Sequence, residues 1–491
     1  MTAELAFASA GELAAKISSG ALSAVELTQF YISRIEASHE QLNAVVVQDF
    51  DAALEAAKQA DAAQAAGREL GPLHGVPVTV KESFDLAGHP TTWGFPMWQH
   101  MRASQDAEVV NRLKAAGAVV LGKTNVPVML SDFQSFNEIY GQTNNPWNPA
   151  LVPGGSSGGS AAAMAAGLSG LEFGSDIGGS VRNPAHYCGV YGHKPTWNVV
   201  PITGHKPPVA PSEGNGVDIA VVGPIARQPE DLRLALSLTT GPLPLQAPGW
   251  QLHLPPAPVF AKQRPLRVAV WANDAMAPVS DDIAAGIEAV ANALESNGAV
   301  VDRQVRPDID FQAARLAYVY LMQAVNVSGV PDQVYQQNLE LAKQFDSRDM
   351  SPPALFARAS VQSHHEWMQH DHLRTAVRYA WHRFFADWDV LLCPIANTAA
   401  FPHNHGLMEQ RLVDVNGEMR PYFEANFWAS LASLAGLPAT VAPMGLNKEK
   451  LPLGVQIVGA EFADETTIAV SGLLKELGFS FTPPPALAGS S

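Results

Sequence analysis

Apolar positions along this chain recur in two rhythms, and their alternation predicts helices packed on a sheet. Leu27, Tyr31, Ile32 and Ile35 keep helical spacing behind Ser23 and Glu26, which stand three apart as a capping box. Residues 50–66 are alanine-rich and predict a second helix that stops at Gly67. The segment GPLHGVPVTVK then changes to a period of two through Val76, Val78 and Val80, a strand pattern that delivers Lys81 at its far end. From Asp106 the pattern predicts a helix, a stop at Gly117 and a short strand over 118–122. The same order returns later: a helix over 280–297, a stop at Gly298 and a strand over 299–302. Such helix–glycine–strand units belong to α/β sheets with helices on their faces.

Residues 309–385 read as mostly helical, and their aromatic and sulfur side chains are expected in the core: Tyr318, Tyr320, Met322, Trp367, Trp381 and Phe384. The runs 389–394, 437–443 and 452–459 read as buried strands. Residues 241–265 are too proline-rich for regular structure and predict a surface excursion leading into a strand over 266–271. Strands resume on both sides of it. The expected fold class is therefore α/β, with helices packed on the faces of what can be one continuous sheet.

The length of 491 residues, with 47% hydrophobic and 16% charged residues, supplies a large core and argues against disorder. A formal net charge of −16 without a basic cluster disfavours nucleic acid as the principal partner, because phosphates would be repelled. Two cysteines, Cys188 and Cys393, offer no disulfide framework and no thiolate zinc site. His365 and His370 imitate a zinc-protease helix but are five apart, about 140° around a helix rather than on one face. They are expected to be surface or packing residues, as are His364 and His372, and no metal site is expected. The opening residues carry an acidic side chain at Glu4 and no apolar run of signal length, and no stretch reaches membrane-span length. A cytoplasmic protein without membrane partners is expected.

Residues 154–182, GGSSGGSAAAMAAGLSGLEFGSDIGGSVR, carry the candidate chemistry. Two glycine-flanked serines, Ser156 and Ser180, are separated by a small-residue helix. A serine hydroxyl attacks only when a base takes its proton and donors stabilise the resulting oxyanion. Gly178 and Gly179 before Ser180 allow backbone N–H groups to converge, and Lys81 is a candidate base. A lysine at its ordinary pKa is neutral in only about 0.04% of molecules at pH 7, so this role requires burial. The run GGSSG also fits a nucleophile elbow, but the prolines of NNPWNPALVP leave no strand before it, and the last histidine is His405. A phosphate loop would need a lysine that the run lacks.

The motifs GVPVTVKES (75–83), GKTN (122–125), NPWNPALVPGGSSGGSAAAMAAG (145–167), GSDIGGSVRNPA (174–185) and GVYGHKPT (189–196) resemble the amidase signature family. The segments AGLPATVAP and PLGVQIVG extend the resemblance over roughly residues 10–475. The family's Ser–cis-Ser–Lys triad then falls on Ser180 as nucleophile, Ser156 as bridging serine and Lys81 as base. Its oxyanion hole falls on the N–H groups of Ile177, Gly178, Gly179 and Ser180. Ser157 is expected to orient Ser156 or its loop, Asp176 and Arg182 either to fix the loop around Ser180 or to form an ordinary ion pair, and Met129 and Leu130 to line a substrate pocket. The resemblance implies a single domain spanning residues 1–491, built on one large mixed sheet wrapped by helices, and a cofactor-free amidase that uses water. The apolar run from Val126 to Leu130 and the aromatics of 309–385 suggest a hydrophobic or aryl small-molecule amide, and a homodimer is compatible with the family. Carbamate, ester or cyclic-amide hydrolysis would use the same triad. The glutamine-hydrolysing component of a tRNA-dependent amidotransferase (its A chain) is the other relative to weigh; residues 126–138 depart from its pattern. Glu82 stands where aspartate is usual, and Ser433 where asparagine is common.

Overall fold

The computed structural model describes residues 3–210, 217–260 and 264–488. Its centre is a sheet of eleven strands, numbered in chain order. Strands β1 to β4 are Val45–Gln48, Pro77–Lys81, Val119–Thr124 and Glu172–Asp176. Strands β5 to β8 are Tyr191–Lys194, Val221–Ala226, Arg267–Val270 and Val300–Asp302. Strands β9 to β11 are Val390–Cys393, Ala439–Leu446 and Pro452–Gly459. Across the sheet the order is β1-β3-β2-β4-β6-β5-β10-β11-β9-β7-β8. Strand β2 is parallel to both β3 and β4. From β4 through β6, β5, β10 and β11 to β9 every pair is antiparallel, and β9, β7 and β8 are parallel again. The sheet is mixed, as expected.

Helix Ala24–Leu42 opens on its capping box: Ser23 Oγ accepts the Glu26 N–H and the Glu26 carboxylate accepts the Ser23 N–H, each at 3.0 Å. Both helix–glycine–strand units form, with helices Glu108–Ala115 and Asp281–Ser296 leading into β3 and β8. The alternation at Val76, Val78 and Val80 does not mark a half-exposed strand. All five residues of β2 are buried, because the strand lies inside the sheet and both its faces are covered. Thr79 and Lys81 thus enter the interior as polar groups and must find partners there.

The described part of the proline-rich stretch, 241–260 and 264–265, holds no helix or strand, and Leu245 is 91% exposed; residues 261–263 lie outside the described residues. The 309–385 region forms four helices: Phe311–Val327, Asp332–Ala342, Pro352–Ala359 and His364–Asp387. Tyr318, Met322, Trp381 and Phe384 are buried, whereas Tyr320 and Trp367 are only half-buried. Tyr320 packs its ring on His370 at 4.2 Å and Trp367 stacks on His364 at 5.7 Å, so these histidines serve as packing surface.

Candidate active site

Two neighbouring parallel strands deliver the central groups. Strand β2 ends at Lys81, and β4 ends at Ser175 and Asp176 before the chain turns through Ile177–Val181 into helix Arg182–Cys188. The second serine loop, 153–157, enters helix Gly158–Ala165. The Ser157 N–H donates to the Ser180 carbonyl at 3.1 Å and stitches the two loops together. Ser157 Oγ also reaches the backbone of Ser175, at 3.4 Å. The Gly155–Ser156 peptide bond is cis. A Cβ at Gly155 would stand 2.2 Å from the Asp132 carbonyl oxygen, so no side chain fits where this loop passes under residues 132–134.

Lys81 Nζ donates to Ser156 Oγ at 2.6 Å and to Ser175 Oγ at 2.9 Å. The lysine is fully buried, and burial pushes its pKa down to about 7 against the upward pull of Asp176, Glu172 and Glu82. Those carboxyls are themselves altered: burial raises Glu82, and it raises Glu172 to about 8 although Thr79, Ser160 and Thr124 hydrogen-bond to it. Glu82 accepts from the Thr92 N–H and hydroxyl, the Trp93 N–H and the Tyr140 hydroxyl, at 2.7 to 3.1 Å. Glutamate at this position therefore holds the 92–93 turn.

Asp176 and Arg182 lock the loop around Ser180. Asp176 accepts from Arg182 Nη2 at 2.8 Å, Arg182 Nε at 3.0 Å, Gly179 N at 2.9 Å and Val181 N at 3.0 Å. Burial alone would raise this carboxyl, but the Arg182 guanidinium holds it down to about 2. Arg182, also fully buried, reaches the Gln456 side-chain oxygen at 2.5 Å and Ser433 Oγ at 2.8 Å, so the serine at 433 serves as its acceptor. The pair is thus the brace of the loop, not an isolated ion pair. It also revises the expected donor set. Gly179, at φ 99°, gives its N–H to Asp176, whereas no acceptor among the described residues takes the N–H groups of Ile177, Gly178 and Ser180.

Ser156, Ser175, Ile177, Gly178 and Ser180 line one cavity of about 760 Å³. Met129 and Leu130 form part of its wall, both in the left-handed backbone region at φ 52° and 57°, unusual for side chains of this size. Three contributors were not anticipated from the sequence. Ser175 is the second partner of Lys81. Tyr318 donates its hydroxyl to the Ile177 carbonyl at 3.2 Å. His205 lies between the rings of Phe84 and Trp93 and is pushed down to about 3 by burial and by Lys81. Only Ser175 carried a signal, its place inside the glycine-serine motif. Among the described residues no three His, Cys, Asp or Glu side chains converge on a metal-sized site, and no helix is long and apolar enough to cross a membrane.

Residues 26–468 match the profile of the Amidase family. The chain belongs to that family. Amidase-family enzymes are amidohydrolases, and this chain is one of them. It is 33% identical over 482 residues to an indoleacetamide hydrolase of Bradyrhizobium diazoefficiens, covering 95% of this chain and 86% of that protein. It is 31% identical to the A chain of the glutamyl-tRNA(Gln) amidotransferase of Moorella thermoacetica, with 95% of each chain covered. A bacterial aryl acylamidase of the amidase signature family shares the fold at a TM-score of 0.82, with 24% identity over 99% of each chain.

Proposed function

We propose that this amidase works as one domain and hydrolyses a hydrophobic or aryl small-molecule amide through an acyl-enzyme on Ser180. The 2.6 Å contact between Lys81 Nζ and Ser156 Oγ, at the edge of the cavity that Ser180 lines, carries the proposal. Neutral Lys81 takes the proton of Ser156 while Ser156 takes that of Ser180, and Ser180 Oγ bonds to the carbonyl carbon. The oxyanion is received by the N–H groups of Ile177, Gly178 and Ser180, with Gly179 reserved for Asp176. The tetrahedral species collapses as the carbon–nitrogen bond breaks, and the proton returns through Ser156 to the leaving nitrogen. Water then attacks the acyl group by the same relay and releases the acid.

The cavity wall of Met129, Leu130, Phe133, Met322 and Phe356 supports an apolar substrate, and the likeness to an indoleacetamide hydrolase makes arylacetamides the first compounds to try. Carbamates and esters would differ only in the leaving group. The test is turnover of arylacetamides, acetanilides, aliphatic amides and glutamine by the purified protein and by Ser180→Ala. Wild-type release of amine or ammonia from the aromatic amides, with loss of at least a thousandfold in the variant, is expected. Equal turnover by the two proteins would refute the nucleophile, and a preference for glutamine would refute the substrate class.

A further inference from the structure

Helix Asp332–Ala342 buries none of its eleven residues. Its principal neighbour is helix Pro352–Ala359. Yet the helix is not polar all round. Val334, Tyr335, Asn338, Leu339 and Ala342 are half-buried, at the spacing of a single helical face. Just beyond it, Phe345 is half-buried too. Asn338, Leu341 and Phe345 line the same cavity as Ser156 and Ser180. Leu341, one of these lining residues, stays 43% exposed.

A helix this short is marginal in water and depends on burying an apolar face. Here that face meets helix Pro352–Ala359, and Asn338, Leu341 and Phe345 border the cavity that Met322, Val325 and Phe356 also line. The charged groups of the cavity are balanced among the described residues. Asp132 is bound by Arg411 at 2.6 Å and by the Tyr422 hydroxyl at 2.5 Å, and Lys206 faces Asp85 at 3.7 Å. Burial keeps His205 neutral. Each charged side chain that lines the cavity thus already faces a partner of opposite charge, and an unpaired charge placed against its apolar wall would be heavily penalised.

We propose that helix Asp332–Ala342 and the turn after it form the specificity-determining wall of the site: Leu341 and Phe345 pack on an uncharged apolar group of the substrate, which covers the apolar surface that helix Pro352–Ala359 leaves open. The inference rests on the reading of the Ser180 cavity as the amide site. A bound apolar group orders the helix as it fills the space, and each methylene it buries contributes about fourfold to affinity or kcat/KM.

The test is hydrogen exchange over residues 332–345 in Ser180→Ala, which needs binding but no turnover, with saturating acetanilide, hexananilide or the monoanilide of adipic acid. Protection by hexananilide beyond that given by acetanilide, and none by the carboxylate-bearing anilide, is expected. In parallel, wild-type kcat/KM should climb through the acyl series from acetyl to hexanoyl. Leu341→Ser should flatten that climb, a ratio that partial misfolding does not change. Equal exchange with the two neutral anilides, or an unaltered climb in Leu341→Ser, overturns the proposal even where hydrolysis by Ser180 proceeds. Failure of the Ser180 reading would be seen separately, as wild-type turnover that survives Ser180→Ala.

Discussion

Lys81 and Ser156 meet at 2.6 Å, both buried to within 1% exposure, so the amine has hydroxyls rather than bulk water for company. Burial puts the lysine pKa at about 7, and only its neutral form can accept a proton. We expect kcat/KM to rise about tenfold per pH unit below that value and to level off above it. Lys81→Met should lose this acid limb together with roughly 10²- to 10⁴-fold of the rate. A pH–rate profile from 5.5 to 9.5 on both proteins checks this, and a flat wild-type profile would contradict it.

Glu172 lies beneath that lysine and, with its pKa raised to about 8, holds its proton at neutral pH. Glu172→Gln keeps the neutral shape and hydrogen bonding, so its rate at pH 7 should stay within about threefold of wild type, with the acid limb in place. The unfolded carboxyl ionises near its ordinary 4.5, so the folded protein loses stability as pH rises from there to about 8. The glutamine variant escapes that loss. Urea unfolding at pH 5 and pH 8 should show its advantage growing with pH; an advantage larger at pH 5 would be the wrong sign.

Arg182→Met leaves the Asp176 carboxylate buried with its main partner removed, a change that costs about 3–5 kcal/mol. Adding Asp176→Asn should restore part of that stability, because the stranded charge goes with it. The native pair has its own pH signature. Asp176, depressed from 3.8 to about 2, contributes stability in full above its unfolded pKa and loses it as pH falls through this interval. Denaturation of the single and double variants at pH 7 tests the first point; a double variant less stable than Arg182→Met would count against it.

Much of this was legible in the sequence for a simple reason: apolar periodicity writes most helices and the aliphatic strands plainly. Strand β2 and helices Ala24–Leu42 and Asp281–Ser296 follow their patterns. Strands β4 and β5 do not. Glu172, Ser175, Asp176, His193 and Lys194 are all buried polar residues, the first two and His193 paired with distant parts of the chain, Asp176 with its own loop and Lys194 with the Pro195 carbonyl, and such strands have no alternation to betray them. Strand β6 hides for another reason: Pro224 sits inside it, opposite Phe173, where proline usually argues against a strand. The serines and the lysine could be singled out by motif. The commitment of the Gly179 N–H to Asp176 could not, because it depends on how a five-residue loop folds back on its own strand.

Lys81 and the Ser175–Asp176 pair end adjacent parallel strands on the same side of the sheet, while much of the opposite wall comes from helices between residues 311 and 359. On the proposed mechanism, the groups that break the bond and the surface that selects the substrate therefore sit on different parts of the chain. Grafting a different helical cover onto this sheet should yield an enzyme with new preferences and an unaltered reaction, which makes that stretch the place for a designer to begin.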